Sequence, residues 1–402
     1  MTCASGTERD AAAEDASLVT AAVRPAVEAD VADAAVRVTG AVDMTGLADM
    51  ADEVDVTADG KTVAAGSCLA GAVDTADTGR PAPGAEGIAP STRFENVVDF
   101  AGHHIPRLGM GTMALSIEGR PDRDTAIETI HAALDAGVRY LDTAWSYYLP
   151  SAPGADGTGV AADFGYGEMM VRDAVASWGG PRDEVLVATK TGYRRTIDVS
   201  DDSRQRLQAA GSRYGWMADS RPETMIRDAK ESARRLGVDA LDLLYSHGPD
   251  PAVPYEDQVG ALKTLLDEGV IRYAGISRVD NAQIDVARAI LGTGLIAVQN
   301  QFSPSRPDPE STMAHCAELG LDFVCWSPLG GFLDPFDMHA YDPFRAVAAA
   351  RGVSYQRVVL AWELTRYGRL FTIPSARNPH EIRDSFAAID LRLTDEELAL
   401  LG

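Results

Sequence analysis

From Phe94 onward the chain alternates between short strand-like runs and longer helix-like runs, and this alternation limits the folds open to it. A short β-hairpin is expected first, with strands at Asn96–Phe100 and His103–Pro106. Further strands are predicted at Leu108–Thr112, Arg139–Ala144, Val185–Lys190, Leu241–His247, Tyr273–Ser277, Ala297–Phe302, Phe323–Ser327 and Leu370–Pro374. Apolar spacing, early Pro and terminal Gly predict helices at Asp124–Ala136, Arg221–Leu236, Asp257–Glu268, Asn281–Leu291 and Ser354–Tyr367.

Eight strands that alternate with helices over roughly 300 residues predict an α/β fold of the closed (β/α)8 type, a TIM barrel. The alternative is an open, doubly wound sheet, whose first strand normally leads into a glycine-rich dinucleotide fingerprint. The stretch Leu108–Thr112 is too short for that fingerprint, and a hairpin precedes it. We therefore expect a barrel that carries its functional residues at the carboxyl ends of its strands.

The first 92 residues have a different composition from the rest of the chain. No Phe, Trp or Tyr precedes Phe94, and the first 90 residues carry 16 acidic against 5 basic side chains. Segments with few aromatic residues and a high net charge bury too little apolar surface to offset chain entropy. We expect residues 1–92 to be a disordered acidic extension and residues 93–402 to form the barrel.

The overall composition argues against several classes of protein. A net charge of −24 without a basic patch is unfavourable for nucleic-acid or anionic-membrane partners. No apolar run approaches the roughly 18 residues of a spanning helix, and no signal peptide is evident. The cysteines lack paired spacing, which is typical of free thiols in a reducing cytoplasm: Cys3, Cys68, Cys316 and Cys325. A cytoplasmic protein is expected, with its oligomeric state left open.

Polar side chains end three consecutive predicted strands. Asp142, Lys190 and His247 stand near the ends of the second, third and fourth strands, and Tyr147 lies in the loop after Asp142. Because a buried charge is costly without a partner, Lys190 is expected to pair with Asp142. A lysine beside Tyr147 would lower the phenol pKa from about 10, which suits proton transfer near neutral pH. Each residue alone could be a loop anchor; together they favour a catalytic site.

Eight motifs in order along the chain resemble the aldo-keto reductase superfamily, in particular bacterial members akin to the potassium-channel β-subunit branch. They are Leu108–Thr112, Asp142–Ala144 with Tyr147, Val187–Lys190, Asp242–His247, Tyr273–Ser277, Gln299–Phe302, Trp326–Gly330 and Ile373–Arg377. The resemblance covers nearly the whole barrel region. It implies NAD(P)H-dependent reduction of an aldehyde or ketone, or oxidation of the corresponding alcohol or sugar hemiacetal.

The resemblance also implies roles for individual residues. Asp142, Tyr147, Lys190 and His247 would form a catalytic tetrad in which Tyr147 is the general acid and base. No metal ion would take part. A nicotinamide cofactor would lie over the barrel mouth against Gly111, Thr112, Asp142, Ser277, Gln299, Trp326, Ser327, Leu329, Gly330, Ser375, Arg377 and Glu381. Ser277 and Gln299 would hold its carboxamide, and Trp326 would stack on its nicotinamide ring.

Two insertions depart from the family pattern. The segment 150–162 interrupts the usual link after Tyr147, so Tyr148 and Tyr166 are competing candidates for the acid. The loop from Tyr193 to Ser220 is long, and it carries Arg194, Arg195, Arg204, Arg206, Tyr214 and Trp216. Such a loop either shapes a pocket or is a mobile surface loop.

Two single residues also depart from the pattern. Arg278 follows Ser277, where the family often has asparagine. Glu381 stands where many NADP-preferring members have a basic residue, and a carboxylate there would repel a 2′-phosphate. Arg377 and Arg383 have the opposite effect. Both NADP and NAD are candidates, and the family favours NADP.

Two functions from different classes fit this sequence. The first is an enzyme acting on a small-molecule carbonyl or alcohol, with loop aromatics that leave room for a sugar or an aromatic ring. The second is a cofactor-binding regulatory or scaffold subunit with little turnover, for which the acidic extension could be an interaction arm. The complete tetrad favours the enzyme. A metal-dependent barrel hydrolase needs a cluster of ligands, for which only His247 and Asp142 qualify.

Overall fold

The computed structural model describes residues 94–117, 119–149, 163–195, 216–308, 311–330 and 339–402. These residues fall within one compact unit, Ala82–Gly402. Three predicted features lie outside the described residues: the acidic extension, the insertion 150–162 and the middle of the long loop with Arg204, Arg206 and Tyr214.

Eight parallel strands form the closed barrel. The predicted hairpin, β1 (Val97–Phe100) and β2 (His103–Pro106), precedes β3 (Met110–Gly111), β4 (Tyr140–Asp142) and β5 (Leu186–Thr191). An antiparallel pair, β6 (Tyr193–Arg195) and β7 (Trp216–Ala218), leaves the barrel after β5. The remaining strands are β8 (Leu241–Ser246), β9 (Ile271–Ser277), β10 (Leu295–Gln301), β11 (Asp322–Trp326) and β12 (Leu370–Thr372). Single bridges from Leu108 to Thr372 and from Gly111 to Ser375 join the first barrel strand to the last.

Helices cover the outside of the barrel and pack apolar residues against the strands. They are α1 (Arg123–Ala136), α2 (Tyr166–Ser177), α3 (Pro222–Leu236), α4 (Tyr255–Asp267), α5 (Asn281–Leu291), α6 (Thr312–Leu319), α7 (Asp342–Arg351), α8 (Tyr355–Glu363), α9 (Pro379–Phe386) and α10 (Asp395–Leu401). Local sequence explains their ends. Asp122 accepts a hydrogen bond from the Thr125 backbone at the start of α1, and Gly137 ends that helix with φ of 112°.

The predicted barrel strands and helices are present, with differences at their ends. The helix predicted to reach Tyr367 stops at Glu363, because the Thr365 hydroxyl donates to the Trp362 carbonyl at 2.6 Å and the chain tightens into a turn. The strand predicted at Leu108–Thr112 shortens to Met110–Gly111. Helices α2, α6, α7, α9 and α10 and the β6–β7 pair were not predicted.

Alternation along the strands decides which residues face the barrel interior. The lower interior is apolar, and Phe100 of the hairpin closes it with its ring 4.4 Å from Phe371 and 5.5 Å from Tyr140. The next inward positions lie two residues further along each strand. At the carboxyl ends these positions are Asp142, Lys190, His247, Ser277, Gln299 and Trp326. The predicted polar residues therefore share one end of the barrel.

Candidate active site

Asp142 is the most heavily hydrogen-bonded group at the barrel mouth. Lys190 Nζ donates to Asp142 Oδ1 and, at 3.0 Å, to the Thr143 carbonyl. Asp142 Oδ2 accepts from Gln299 Nε2 at 2.9 Å and from the Tyr140 hydroxyl at 3.2 Å. Both charged side chains are only 2% exposed. The predicted ion pair is present, and the hydrogen bonds offset the cost of burying it.

Tyr147 lies beside this pair. Lys190 Nζ is 5.3 Å from the centre of the Tyr147 ring. Burial raises the pKa of Tyr147 above its ordinary value, although the charge and hydrogen bond of Lys190 lower it. Lys190 lowers the pKa of Tyr147, as predicted, but the expected net decrease is wrong, because removing a phenolate from water costs more than the ammonium contributes. Tyr147 is therefore a neutral phenol at neutral pH.

The pKa values of Lys190 and His247 are shifted in opposite directions. Burial alone would lower the pKa of Lys190, but Asp142 and Tyr147 raise it above its ordinary value. Burial, together with the positive charges of Lys190 and Arg278, holds the pKa of His247 well below its ordinary value. At neutral pH the site thus holds a charged ammonium and a neutral imidazole.

A cavity of about 400 Å³ opens at this end of the barrel. Every predicted tetrad and cofactor residue except Thr112 lines it. The Thr112 hydroxyl donates to the Asp142 carbonyl at 3.0 Å and is fully buried, so it supports the strand end instead. Trp326 contributes a buried indole nitrogen that has no hydrogen-bond partner within the described residues. This donor, with the cations Arg278 and Arg377 in the same wall, fits a flat, polar and anionic cofactor such as a nicotinamide dinucleotide.

The cavity wall also includes the start of α9. Asn378 Oδ1 accepts from the backbone of His380 at 3.1 Å and of Glu381 at 3.0 Å. The Glu381 carboxylate accepts from the Arg377 backbone and from Asn378 Nδ2, both at 2.7 Å. A negative charge is therefore held beside Arg377 at the predicted adenosine end.

The competing tyrosines lie outside the cavity. Tyr148 is fully buried, with its ring centre 5.3 Å from that of Phe164. Tyr166 begins α2 and stacks under the Arg120 guanidinium at 3.7 Å. Tyr147 is the one of the three that lines the cavity.

The β6–β7 pair shapes the pocket beside Tyr147. The Trp216 ring lies 6.1 Å from the Tyr147 ring and lines the cavity. Arg194 anchors the pair from behind: it is 4% exposed, and its guanidinium lies 2.6 Å from Asp228. Of the two interpretations of the long loop, its described ends fit pocket formation.

Sequence reasoning missed one wall of the pocket. Met113, Ala114 and Ile117 line the cavity after β3, and Ile117 packs in the same apolar cluster as Tyr147 and Trp216. The signal was a run of apolar residues directly after a strand end, where a surface loop would be polar.

Neither a metal site nor a membrane-spanning helix is found in the part of the chain that the structure describes. No group of three or more His, Cys, Asp or Glu side chains there is placed to hold a metal ion. None of the described helices combines the length and apolar character needed to cross a bilayer.

Comparison with known proteins agrees with this geometry. The Aldo/keto reductase family matches residues 107–401. Pyridoxine 4-dehydrogenase of Escherichia coli is 27% identical over 308 residues, which are 74% of this chain and 94% of that protein. The 6-dehydroglucose reductase of Novosphingobium aromaticivorans is 30% identical over 300 residues, 73% of this chain and 89% of that protein.

A solved structure extends the likeness to three dimensions. The aldo/keto reductase from Klebsiella pneumoniae, in complex with NADP and acetate, is 26% identical with a TM-score of 0.58. The match covers 76% of this chain and 94% of that one. The family match spans well over half of the chain, and the barrel carries its cavity at the strand ends. The chain therefore belongs to the aldo/keto reductase family and is an oxidoreductase.

Proposed function

We propose that this protein reduces a small aldehyde or ketone with a nicotinamide cofactor, or oxidises the corresponding alcohol or sugar hemiacetal, with Tyr147 as the general acid and base. The observation that most supports this proposal is that Tyr147, His247 and the buried Lys190–Asp142 pair line one cavity. A neutral phenol beside a buried ammonium is a proton donor whose conjugate base is stabilised. Such a constellation has little use in a purely structural barrel.

In the reduction, Tyr147 donates a proton to the carbonyl oxygen as negative charge develops there. Lys190 stabilises the phenolate that remains, and Asp142 keeps Lys190 charged and in place. His247, neutral at this pH, donates a hydrogen bond to the same oxygen. The cofactor supplies the hydride when it is bound.

NADP(H) is the proposed cofactor, and NAD(H) is its competitor. Gln299 Nε2 donates to Asp142, and the Ser277 hydroxyl donates to the backbone carbonyl of Gln299 at 2.6 Å. Their free acceptor atoms would therefore receive the carboxamide NH2 group. Trp326 would stack on the ring, while Ser327, Leu329, Gly330 and Ser375 would lie along the pyrophosphate. Arg377 and the NADP-bound Klebsiella pneumoniae relative support NADP.

The substrate is a small carbonyl compound with a ring, either an aromatic aldehyde or a sugar. Met113, Ile117 and Trp216 form apolar walls around the Tyr147 ring. Apolar and aromatic walls favour a flat or ring-shaped molecule. The names of the two relatives, one acting on pyridoxine and the other on a dehydroglucose, are in line with this class. A cytoplasmic location stays a prediction.

The deciding experiment replaces Tyr147 by Phe and follows oxidation of NADPH and NADH with a panel of aldehydes, ketones and sugars. The wild-type protein should turn over at least one ring-bearing carbonyl. The variant should lose about a hundredfold or more in kcat, the usual weight of a general acid, and keep its affinity for the cofactor. Tyr166→Phe is the matched control and should retain activity. Full activity in Tyr147→Phe refutes the assignment of the acid.

A further inference from the structure

Ser146, the residue directly before Tyr147, contacts the imidazole of His247. Its hydroxyl oxygen lies 3.4 Å from His247 Nδ1, within hydrogen-bonding distance. Ser146 is 1% exposed and His247 is 6% exposed, so solvent does not compete for either group. The two residues come from different barrel segments, the loop after β4 and the end of β8.

The plane of the His247 ring is set by its neighbours. Tyr193 stacks on it, with ring centres 4.9 Å apart and planes 19° apart. Tyr147 and Trp216 make T-shaped contacts with it, and their ring centres lie 5.9 Å and 6.0 Å from that of His247. Within the described residues Nε2 has no hydrogen-bond partner, and His247 lines the cavity. Nδ1 is therefore within hydrogen-bonding distance of a protein group, and Nε2 is available to a bound molecule.

A neutral imidazole carries one N–H, and the partner of the other nitrogen decides which nitrogen that is. His247 is neutral because burial, Lys190 and Arg278 hold its pKa well below the ordinary value. If Nδ1 carried the hydrogen, Ser146 would accept it. The Ser146 hydrogen would then be buried without any acceptor among the described residues, which is unfavourable. If Ser146 donates to Nδ1, both groups are satisfied.

We propose that Ser146 is a positioning residue that donates its hydroxyl hydrogen to His247 Nδ1 and so fixes the tautomer with its N–H on Nε2. This inference rests on the proposed function, because an Nε2–H faces the carbonyl oxygen to be reduced. A donor at that point stabilises the negative charge that develops on the oxygen. The other tautomer would direct a lone pair at it and oppose the reaction.

The direct test is nitrogen-15 NMR of the full chain labelled at histidine, with His247 assigned by its loss in His247→Gln. In the wild-type protein at pH 7 we expect Nε2 to be protonated and Nδ1 to be an unprotonated acceptor. Ser146→Ala should give a mixture of the two tautomers. A wild-type His247 protonated at Nδ1 overturns the proposal, and this outcome does not depend on whether Ser146→Ala folds.

Kinetics supply the second test. Ser146→Ala should lower kcat about fivefold, the effect of one neutral hydrogen bond, while the dissociation constant of NADPH stays unchanged. Ser146→Thr, which keeps the hydroxyl, should restore most of kcat. Ser177→Ala is the matched control, because Ser177 makes a similar contact, 3.1 Å from His131 Nε2, outside the cavity. Unchanged kcat in a folded Ser146→Ala overturns the proposal.

The two proposals fail in different ways. If no carbonyl oxidises NADPH or NADH while His247 is protonated at Nε2, the proposed function fails and the tautomer assignment stands. If turnover is normal and His247 is protonated at Nδ1, the role of Ser146 fails and the reductase stands.

Discussion

The ammonium nitrogen of Lys190 lies 5.3 Å from the centre of the Tyr147 ring, and both side chains are almost completely buried. Two opposing effects act on the phenol. Lys190 lowers its pKa, but burial raises it by more. The group therefore holds its proton at neutral pH, which suits the reductive direction, and it must lose that proton before it can act as a base.

The first prediction concerns Lys190→Met. Removing the ammonium takes away the one charge beside Tyr147 that most strongly favours its ionised form, so the pKa of Tyr147 should rise further. Alcohol oxidation needs the phenolate, so its increase with pH should move to more alkaline pH, and kcat should fall about a hundredfold.

The pH–rate profile of alcohol oxidation by both proteins checks this. Lys230→Met is the control: Lys230 is 43% exposed and pairs with Glu268 on the surface, so its profile should match the wild type. An unshifted profile in Lys190→Met would show that Lys190 does not set the ionisation of Tyr147.

The second prediction concerns the choice between NADP and NAD. The Glu381 carboxylate accepts hydrogen bonds from the Arg377 backbone and Asn378, and it lines the cavity. Glu381→Gln removes its negative charge. The ratio of kcat/KM for NADPH to that for NADH should rise about fivefold, as expected for ~1 kcal/mol between partly solvated charges.

Specificity constants for both cofactors, measured with one substrate, check this. Glu128→Gln makes the same change on an exposed position of α1, away from the cavity, and should leave the ratio unaltered. If the ratio of kcat/KM for NADPH to that for NADH were equal in all three proteins, Glu381 would not contact the adenosine end of the bound cofactor.

The third prediction concerns the pocket wall. Trp216 is 5% exposed and packs against Tyr147 and His247 at the cavity. Trp216→Ala should raise KM for aromatic aldehydes about tenfold, the weight of ~1.4 kcal/mol of ring contact, and affect small aliphatic aldehydes much less.

Matched KM values for one aromatic and one aliphatic aldehyde measure this difference. Trp178→Ala is the control, because Trp178 lies outside the cavity, where its indole N–H donates a hydrogen bond to Asp135 at 2.8 Å. An equal rise in KM for both aldehydes would indicate a general disturbance of the site rather than a substrate wall.

The fourth prediction concerns stability and pH. Burial raises the pKa of Asp322 to about 7 from an ordinary value of 3.8, although Arg369 at 2.7 Å opposes it. The folded protein therefore binds this proton more tightly than the unfolded chain. This stabilisation by Asp322 is complete below about pH 4 and is lost as pH rises through 7, so Asp322 adds a negative slope to the pH dependence of wild-type stability across this range.

Chemical denaturation at several pH values from 5 to 8 measures this slope. Asp322→Asn cannot titrate, and its free energy of unfolding should fall less over the same range. Asp267→Asn is the control, since that side chain is 62% exposed, and it should keep the wild-type slope. Parallel curves for wild type and Asp322→Asn would contradict the prediction.

Most of the fold could be predicted from local sequence. The strand positions followed from apolar runs, and the ends of α3 and α5 followed from Gly237 and Gly292. Helix α6 is short and its N-cap residue, Ser311, makes no side-chain capping hydrogen bond, so it gave no comparable signal. Likewise, β6 and β7 have three residues each and lie at the two ends of a long loop. Only their pairing in space defines them.

The sequence by itself determined which chemical groups meet at the barrel mouth. In a barrel of parallel strands the carboxyl ends of the strands lie at one end, and a period of two along each strand turns alternate side chains inward. Only the tertiary structure decided how those groups behave. Two of the partners of Asp142, Lys190 and Gln299, are 48 and 157 residues away along the chain. The pKa of Tyr147 follows from burial by segments that no local pattern connects. Desolvation depends on everything packed around a group, and sequence spacing does not record it.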